Sequence, residues 1–103
     1  MARLDEVIDD DIAARISVEM LAHVVDMPPW TFAEAFRTTT GETPHAYVTA
    51  KRIAKACDLL KGGVLSLAEI AYVVGFSSQS HMTDTFRRHM GTTPGAWRQE
   101  FGT

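Results

Sequence analysis

The chain has 103 residues, of which 46% are hydrophobic and 22% are charged. These fractions exclude an intrinsically disordered chain, and the length suits one small domain or two very small lobes. The net charge of −3 argues on its face against a nucleic-acid partner. The charge is uneven, however, because residues 1–16 and 17–48 each carry −3 whereas residues 49–65 carry +3. The total charge therefore does not decide the partner.

The first part of the chain has the pattern of two short helices joined by a turn. Apolar residues at helical spacing predict a helix over Val18–Val25. Asp26-Met27 predicts the turn, because aspartate tolerates the left-handed region better than most residues. A second helix is predicted from about Pro29 to Thr40, ending at Gly41. Two short helices with a tight turn form a helix-turn-helix.

The middle of the chain predicts one longer helix. Pro44–Leu60 contains no internal glycine or proline and ends at Lys61-Gly62-Gly63. A helix of about 17 residues would be roughly 25 Å long. The residues that we expect to face the protein interior from this helix are Tyr47, Val48, Ile53, Ala56, Cys57, Leu59 and Leu60.

The last part of the chain repeats the helix-turn-helix pattern. Ser66 and Glu69 have the S-x-x-E spacing of a capping box, so a helix should begin there. Gly75 provides the positive φ of a sharp turn, and Phe76 should anchor that turn inward. Ser77 is then predicted to cap the next helix.

That next helix has a clear apolar face and a clear end. Met82, Phe86 and Met90 recur every four residues, which predicts one buried side. Gly91 ends the helix, and Thr93-Pro94 begins a final one with proline at its first position. Because no strand pattern of useful length occurs, we predict an all-α fold.

The two helix-turn-helix parts align with each other as an internal repeat, at an offset of 49 that becomes 50 after one inserted residue. The aligned pairs are Ala22 with Ala71, Val25 with Val74, Met27 with Phe76, Phe32 with Met82, Phe36 with Phe86, Arg37 with Arg87, Gly41 with Gly91, Thr43-Pro44 with Thr93-Pro94 and Tyr47 with Trp97. We therefore expect a first lobe over residues 1–48, a linker helix over 44–61 and a second lobe over 62–103.

A helix-turn-helix places its second helix in the major groove of DNA, where the base edges present distinguishable donors and acceptors. Two such units need groove segments about one turn, roughly 34 Å, apart. A linker helix near 25 Å suits that spacing, with the DNA bent where the register requires it. The pattern favours one chain that reads two successive groove segments.

Two stretches of the chain resemble one protein family. Ala71–Arg98, AYVVGFSSQSHMTDTFRRHMGTTPGAWR, strongly resembles the signature of the AraC family of transcription regulators, and Lys51–Leu60, KRIAKACDLL, resembles that family's middle helix. The resemblance covers about residues 5–101. Met82 and Trp97 stand where the family usually has phenylalanine and tyrosine, and both exchanges preserve core volume.

The resemblance implies a homeodomain-like domain of about seven helices, with two helix-turn-helix lobes on a central linker helix. Its implied partner is double-stranded promoter DNA, and its implied role is to activate or repress transcription. RNA polymerase is a further expected partner. Many family members also carry a separate effector-binding or dimerisation domain, so the chain is either an excised DNA-binding half or a stand-alone regulator.

The resemblance also assigns the base-reading face of the second unit. Its residues are Gln79, Ser80, His81, Thr83 and Asp84. Gln79 can make a bidentate contact with adenine, and the hydroxyls of Ser80 and Thr83 suit several bases. The alternative is a solvated polar face. We interpret His81 as a neutral hydrogen-bonding residue or a backbone contact rather than a metal ligand.

The corresponding positions of the first unit are Trp30, Thr31, Ala33, Glu34 and Arg37. Trp30 either packs on thymine methyl groups or sugar, or is buried between the lobes, and Ala33 can touch a thymine methyl. Glu34 and Asp84 lie where short family members often carry arginine. A carboxylate can accept from cytosine N4, but phosphates repel it. We favour a specificity role for Asp84 and leave Glu34 undecided.

Phosphate contacts are expected from basic residues and from helix N-termini, whose free N–H groups favour anions. The predicted set is Ser17, Arg37, Thr43, Lys51, Lys55, Ser66, Arg87 and Arg88. Arg52 either joins this set or pairs with Asp58 or Glu69. Because the basic set is small for a DNA-binding protein, we expect modest affinity and strong salt sensitivity.

Other classes of protein are disfavoured. The lone Cys57 can form neither an internal disulfide nor a thiolate metal cage and suits a small core position. The four histidines lack metal-site spacing and no glycine-rich phosphate loop occurs, so we expect no enzyme, no metal and no cofactor. The acidic N-terminal segment and the absence of an 18-residue apolar run lead us to expect a cytoplasmic protein without a membrane partner.

Two alternatives stay open. In the first, only the second unit reads DNA, while the negatively charged first unit with Trp30 binds a partner protein. In the second, the chain senses a small molecule, which requires an apolar pocket. We expect any such pocket to be filled by Phe32, Phe36, Phe76 and Phe86.

Overall fold

The structure is a computed structural model that describes residues 2–13 and 16–102. These residues form seven helices and no strand, so the prediction of an all-α fold is confirmed. The helices are α1 Ala2–Asp10, α2 Val18–Val24, α3 Pro29–Thr40, α4 Pro44–Gly62, α5 Leu67–Val74, α6 Gln79–Met90 and α7 Pro94–Phe101. No helix within the described ranges is both long and apolar enough to cross a membrane.

The chain divides into two compact units, Met1–Lys51 and Arg52–Thr103. The division falls inside α4, so this helix contributes its first part to one unit and its second part to the other. Each unit contains one helix-turn-helix, formed by α2 and α3 in the first unit and by α5 and α6 in the second. Each unit also has a hydrophobic core of its own.

The core of the first unit joins four helices. Its buried residues are Leu4, Ile8, Leu21, Ala22, Phe32, Phe36 and Val48. The ring of Phe36 lies 5.6 Å from that of Phe32 and meets Tyr47 edge to face at 5.2 Å between centroids. Edge-to-face aromatic pairs stabilise beyond the area that they bury. This cluster fixes α3 against α4.

The core of the second unit surrounds Phe86. Its buried residues are Ile53, Ala56, Leu60, Ile70, Ala71, Val74, Phe76, Met82, Phe86 and Trp97. Phe86 has no exposed surface, and its ring meets Trp97 edge to face at 6.2 Å. Of the residues predicted to face inward from α4, Cys57 and Leu59 are only partly buried and pack against this core.

Local sequence signals determine where most helices begin and end. Ser66 and Glu69 form the predicted capping box, with each side chain bonded to the other residue's backbone N–H. Asp26 has φ 58°, and Gly75 at the equivalent turn has φ 94°. Both turns therefore use the left-handed region, which glycine enters without a steric penalty and aspartate enters more easily than most residues.

Two local predictions were wrong. The cap of α6 is Ser78 and not Ser77, because the Ser78 hydroxyl accepts from the His81 N–H at 3.0 Å. Met90 was predicted on the buried side, but it is 41% exposed. It lies in the last turn of α6, next to the capping Gly91, where the helix extends past the core.

Arg98 ties α7 to the end of α4. Its Nε donates to the Leu60 carbonyl oxygen at 3.3 Å, and its Nη2 donates to the Leu65 carbonyl oxygen at 2.7 Å. The last carbonyls of a helix lack partners within that helix. Arg98 supplies one and so stabilises the connection between α4 and α5.

A polar network holds α1 against α4 in the first unit. The Tyr47 hydroxyl donates to Asp5 Oδ1 at 2.6 Å, and Lys51 Nζ lies 3.3 Å from Asp5 and 3.7 Å from Asp9. The hydrogen bond from Tyr47 and the nearby Lys51 ammonium hold the pKa of the Asp5 carboxyl below its usual value. The hydrogen bond to Asp5 and partial burial raise the pKa of Tyr47 to about 12.

Tyr47→Phe should therefore lower the free energy of unfolding by about 0.5–1.5 kcal/mol near neutral pH, since it removes one partly solvated hydrogen bond to a carboxylate. The Asp5 part of this stabilisation is present above pH 3.8, the usual pKa, and is lost at lower pH. The Tyr47 part is present below pH 10 and is lost as pH rises toward about 12. Urea unfolding at a series of pH values measures the loss of the Asp5 contribution at acidic pH and the loss of the Tyr47 contribution at alkaline pH.

Tyr72→Phe is the matched control, because the Tyr72 side chain on α5 is 73% exposed. Removing its hydroxyl should leave stability within about 0.5 kcal/mol. If Tyr47→Phe also left the free energy of unfolding unchanged at every pH, the hydrogen bond to Asp5 would contribute nothing to the stability of the fold.

Candidate nucleic-acid interface

The second helix of the second helix-turn-helix, α6, presents opposite sides to the core and to solvent. Met82 and Phe86 are fully buried. Because a helix has 3.6 residues per turn, Ser80, Asp84 and Arg87 lie together on the opposite side, and all three are exposed. We call these three residues the second recognition row.

The same arrangement recurs on α3 in the first unit. Phe32 and Phe36 are buried, whereas Trp30, Glu34 and Arg37 occupy the opposite side and are exposed. We call Trp30, Glu34 and Arg37 the first recognition row. The side chain of Trp30 is 77% exposed and is not part of the core of the first unit.

The remaining candidate base-reading residues flank the two rows. Gln79 and His81 are exposed in the first turn of α6, and Thr31 is exposed in the first turn of α3. Thr83 and Ala33 are half-buried, so each offers a partner less of its side chain. Each repeat unit thus presents one polar surface that begins at the first turn of its second helix.

Each recognition row carries a carboxylate at its centre. Within the described part of the chain, neither the Glu34 nor the Asp84 side chain has a hydrogen-bond or ion-pair partner. Both carboxylates are therefore available as acceptors. Such a group can accept from cytosine N4 but is repelled by a nearby phosphate, so its effect depends on the partner sequence.

The arginines near these rows are accessible. Arg37, Arg87 and Arg88 are all exposed, and Arg88 Nη2 donates to the buried Thr85 hydroxyl at 3.3 Å. This contact leaves the other guanidinium donors of Arg88 for an outside acceptor. Arg37 and Arg87 thus belong to the recognition rows, and Arg88 follows Arg87 on the same helix.

The basic stripe predicted on α4 is smaller than expected. Lys51 is half-buried and paired with Asp5 and Asp9, so its charge is already balanced inside the first unit. Arg52 is half-buried, and burial lowers the pKa of its guanidinium. Lys55 is exposed.

The predicted phosphate sites at helix N-termini have their hydroxyls engaged. Ser17 accepts from the Met20 N–H, Thr43 from the Ala46 N–H and Ser66 from the Glu69 N–H, each at 3.1 Å. These bonds satisfy one helix donor each and leave others free at the first turn. A phosphate contact at these three helix ends stays a prediction.

Other kinds of site have little support. In the described residues, no group of three or more His, Cys, Asp or Glu side chains could hold a metal ion. A shallow pocket of about 190 Å³ lies between the starts of α2 and α4 in the first unit. Typical ligand pockets measure about 300–1,000 Å³ and bury most of their ligand. Burial raises the pKa of the half-buried Cys57 thiol, which disfavours the reactive thiolate.

Sequence reasoning missed two structural residues. Arg98 closes the family-like stretch but was given no role, and no local signal points to its partners, the carbonyl oxygens of Leu60 and Leu65. Tyr47 was placed in the core, yet its hydroxyl bonds to Asp5. Its aligned residue, Trp97, has no hydroxyl, and this difference between the repeats was the available signal.

Comparison with known proteins gives a consistent result. A family described as a helix-turn-helix domain matches residues 21–100. The virulence regulon transcriptional activator VirF of Yersinia enterocolitica is 36% identical over 92 residues, which are 89% of this chain and 34% of VirF. The chain thus spans about a third of the length of this relative.

Solved structures agree in fold. The DNA-binding domain of AdpA, a global transcriptional factor crystallised with a target DNA, matches with a TM-score of 0.85 and 31% identity, covering 96% of this chain and 92% of that one. A transcriptional regulator of Chromobacterium violaceum with an AraC-type DNA-binding domain matches with a TM-score of 0.90 and 25% identity, covering 96% and 88%.

Proposed function

The chain belongs to the AraC family of helix-turn-helix transcription regulators, and from that premise we propose that it binds promoter DNA sequence-specifically, with α3 and α6 in successive segments of the major groove. The family is a class of transcription regulators and not of enzymes. The observation that carries the proposal is the pair of recognition rows, exposed at the same positions of two aligned helices.

In the second recognition row and its flank, Gln79, Ser80 and Asp84 read bases from α6, whereas Arg87 contacts phosphate. Gln79 makes a bidentate contact with adenine, and Ser80 donates to or accepts from a base edge. Asp84 accepts from cytosine N4 and rejects bases that offer only acceptors at that point. Asp84 has no partner among residues 2–13 and 16–102, which supports this role, because a paired carboxylate would first have to break a contact.

The first recognition row reads DNA through contacts of a different kind. Trp30 packs on thymine methyl groups or sugar, and its 77% exposure supports this contact because little rearrangement is needed. Thr31 and Ala33 contribute at the edge of the row. Glu34 raises the cost of binding most sequences, since a carboxylate next to phosphate is repelled.

Phosphate contacts orient the domain on the duplex. We assign them to Arg37, Arg87, Arg88 and Lys55, which are all exposed. Lys51 is a weaker candidate because Asp5 and Asp9 already neutralise it. A small set of phosphate contacts gives modest affinity that falls steeply with salt.

The rest of the regulatory apparatus is inferred from the family. We propose RNA polymerase as a partner at the promoter, and a separate effector-binding or dimerisation domain as a partner of this one. The second proposal is supported by the length of VirF, of which this chain covers 34%. A DNA-binding regulator of this kind acts in the cytoplasm, and activation is the mode named for VirF.

Selection of genomic fragments by the purified chain at one moderate salt concentration tests the proposal. Two enriched blocks about 10 base pairs apart would support reading by both helices. One enriched block would instead support the alternative in which only α6 reads DNA and the first unit binds a protein. That alternative is not favoured, since VirF is a transcriptional activator and the DNA-binding domain of AdpA was crystallised with a target DNA.

Gln79→Ala should weaken binding to the selected sequence by about 5- to 150-fold, the equivalent of 1–3 kcal/mol for one bidentate base contact. The preference at one base pair should relax at the same time. Fluorescence anisotropy with the selected duplex and its single-base variants measures both effects. Gln99→Ala is the matched control, because Gln99 is exposed on α7, outside both recognition rows. Equal affinities for the two variants would place the base-reading face elsewhere.

A further inference from the structure

The first turn of α6 holds one side chain in a fixed orientation. His81 Nδ1 lies 3.1 Å from the Ser77 hydroxyl oxygen and 3.5 Å from the Ser77 backbone nitrogen, whose N–H donates to it. The imidazole also packs edge to face against Phe76, with ring centroids 5.1 Å apart at 90°. Phe76 is itself only 8% exposed and belongs to the core of the second unit. Two independent contacts therefore set the position of the His81 ring.

The hydrogen bond from Ser77 also sets the tautomer of His81. A backbone N–H can only donate, so Nδ1 must act as the acceptor and carry no proton. In a neutral imidazole the proton then resides on Nε2. Nε2 lies on the ring edge away from Nδ1, and His81 as a whole is exposed. The recognition helix thus presents a hydrogen-bond donor, and no acceptor, from this position.

The fixed ring is not needed to form the turn. The first unit makes the equivalent turn with Pro28 as the cap of α3, without any side-chain cap hydrogen bond. The residue aligned with His81 there is Thr31. That turn is one residue shorter, because Ser77 is the inserted residue of the repeat. In the second unit, the Ser78 cap and the hydrogen bond from the Phe76 N–H to the Ala71 carbonyl oxygen at 2.9 Å already close the turn without the His81 side chain. The contacts of the His81 ring therefore call for another explanation.

We propose that Ser77 is a positioning residue that holds His81 as an Nε2–H donor, and that His81 uses this donor to read an acceptor on a base in the major groove. The acceptors that fit are guanine O6 or N7, adenine N7 and thymine O4, whereas cytosine offers the N4 donor and is rejected. A base is favoured over a phosphate because the N-terminal residues of a recognition helix contact base edges. The inference rests on the proposed DNA-binding function.

Two amide variants distinguish the contact made by His81 Nδ1 from the contact made by His81 Nε2. In His81→Gln, the side-chain amide reaches about as far as Nε2 and keeps a donor there. In His81→Asn, the amide reaches only about as far as Nδ1, so it keeps the contact with Ser77 and lacks the outer donor. Affinity is measured for the selected duplex and for variants changed at each base pair of the block assigned to α6.

We expect His81→Asn to weaken binding by about 5- to 100-fold and to abolish the preference at one base pair, as the loss of one base contact requires. His81→Gln should keep that preference and bind within about 5-fold of the unsubstituted chain. Ser77→Ala should bind with intermediate affinity, because the donor is retained but held less firmly. Where the contacted acceptor is a purine N7, 7-deaza substitution should reproduce the His81→Asn loss and add nothing to it.

His89→Asn on the same helix is the matched control and should bind as the unsubstituted chain does, since His89 lies in the last turn of α6, away from the first turn that carries His81. Equal losses in His81→Asn and His81→Gln would show that His81 only closes the turn, and a loss of equal size on every duplex would show a phosphate contact. Either result would overturn the inference. An unsubstituted chain that selects no sequence would instead overturn the proposed function itself.

Discussion

Phe86→Ala is expected to lower the free energy of unfolding of the second unit by about 3–5 kcal/mol. Phe86 has no exposed surface and lies among Met82, Val74 and Trp97, so its removal leaves a cavity lined by side chains from α5, α6 and α7. At roughly 0.05–0.15 kcal/mol per residue, a unit of about 50 residues such as this one has a stability of about 2.5–7.5 kcal/mol. The substitution should therefore leave α6 largely unfolded at 37 °C and remove sequence-specific binding.

The repeat supplies a matched variant in the first unit. Phe36 aligns with Phe86, is 4% exposed and packs against Phe32 and Tyr47. Phe36→Ala should destabilise α3 while the core around Phe86 keeps its own contacts. Amide hydrogen exchange assigns each loss to a unit. If Phe86→Ala exposed the amides of α3 as much as those of α6, the two cores would not be separate folding units.

Arg87→Ala combined with Arg88→Ala should weaken DNA binding by about 60-fold at 0.1 M salt. Each phosphate contact adds about 0.9 to the slope of log affinity against log salt, so losing two contacts lowers the slope by about 1.8. The loss should be similar for specific and unrelated duplexes, because phosphates carry no sequence information. Salt titrations of binding by fluorescence anisotropy measure the slope directly.

Replacing the same two arginines by lysine tests whether charge alone is needed. Lysine retains a point charge but loses the planar fork, so most of the salt slope should persist. Arg3→Ala is the control for the loss of a positive charge elsewhere, because Arg3 is exposed on α1. An unchanged slope in the double alanine variant would remove Arg87 and Arg88 from the DNA contact surface.

Most helix boundaries could be predicted because their signals are local. Gly41, Gly75 and Gly91 all have positive φ, and Thr93 caps α7 with Pro94 at its first position. The error at Ser77 arose because two adjacent serines can both act as caps. The position of the turn, which depends on how Phe76 enters the core, decides between them. Periodicity similarly placed Met90 on the buried side, but it does not show where a core ends.

Interactions between distant residues could not be predicted. Tyr47 and Asp5 are 42 residues apart, and no local pattern links them. The sequence therefore predicts Lys51 as a cation that is available to phosphate, although it is paired with Asp5 and Asp9. The sequence also does not decide whether the Trp30 side chain is exposed or buried, since an aromatic residue on a polar face suits both burial and recognition. The candidate base-reading face of the second unit was implied by the family resemblance, and the repeat gave the corresponding positions of the first unit.

The separation of inward and outward residues on α3 and α6 affects how such a protein can diverge. Phe32 and Phe36 contribute to stability, while Trp30 and Glu34 on the opposite side are exposed and do not belong to the core of their unit. Exposed substitutions usually change stability by no more than about 0.5 kcal/mol. After duplication of a helix-turn-helix unit, each of the two units can therefore change its target preference one residue at a time. None of the intermediate variants needs to lose its fold. Mutational tolerance is thus concentrated at the positions where new binding specificities arise.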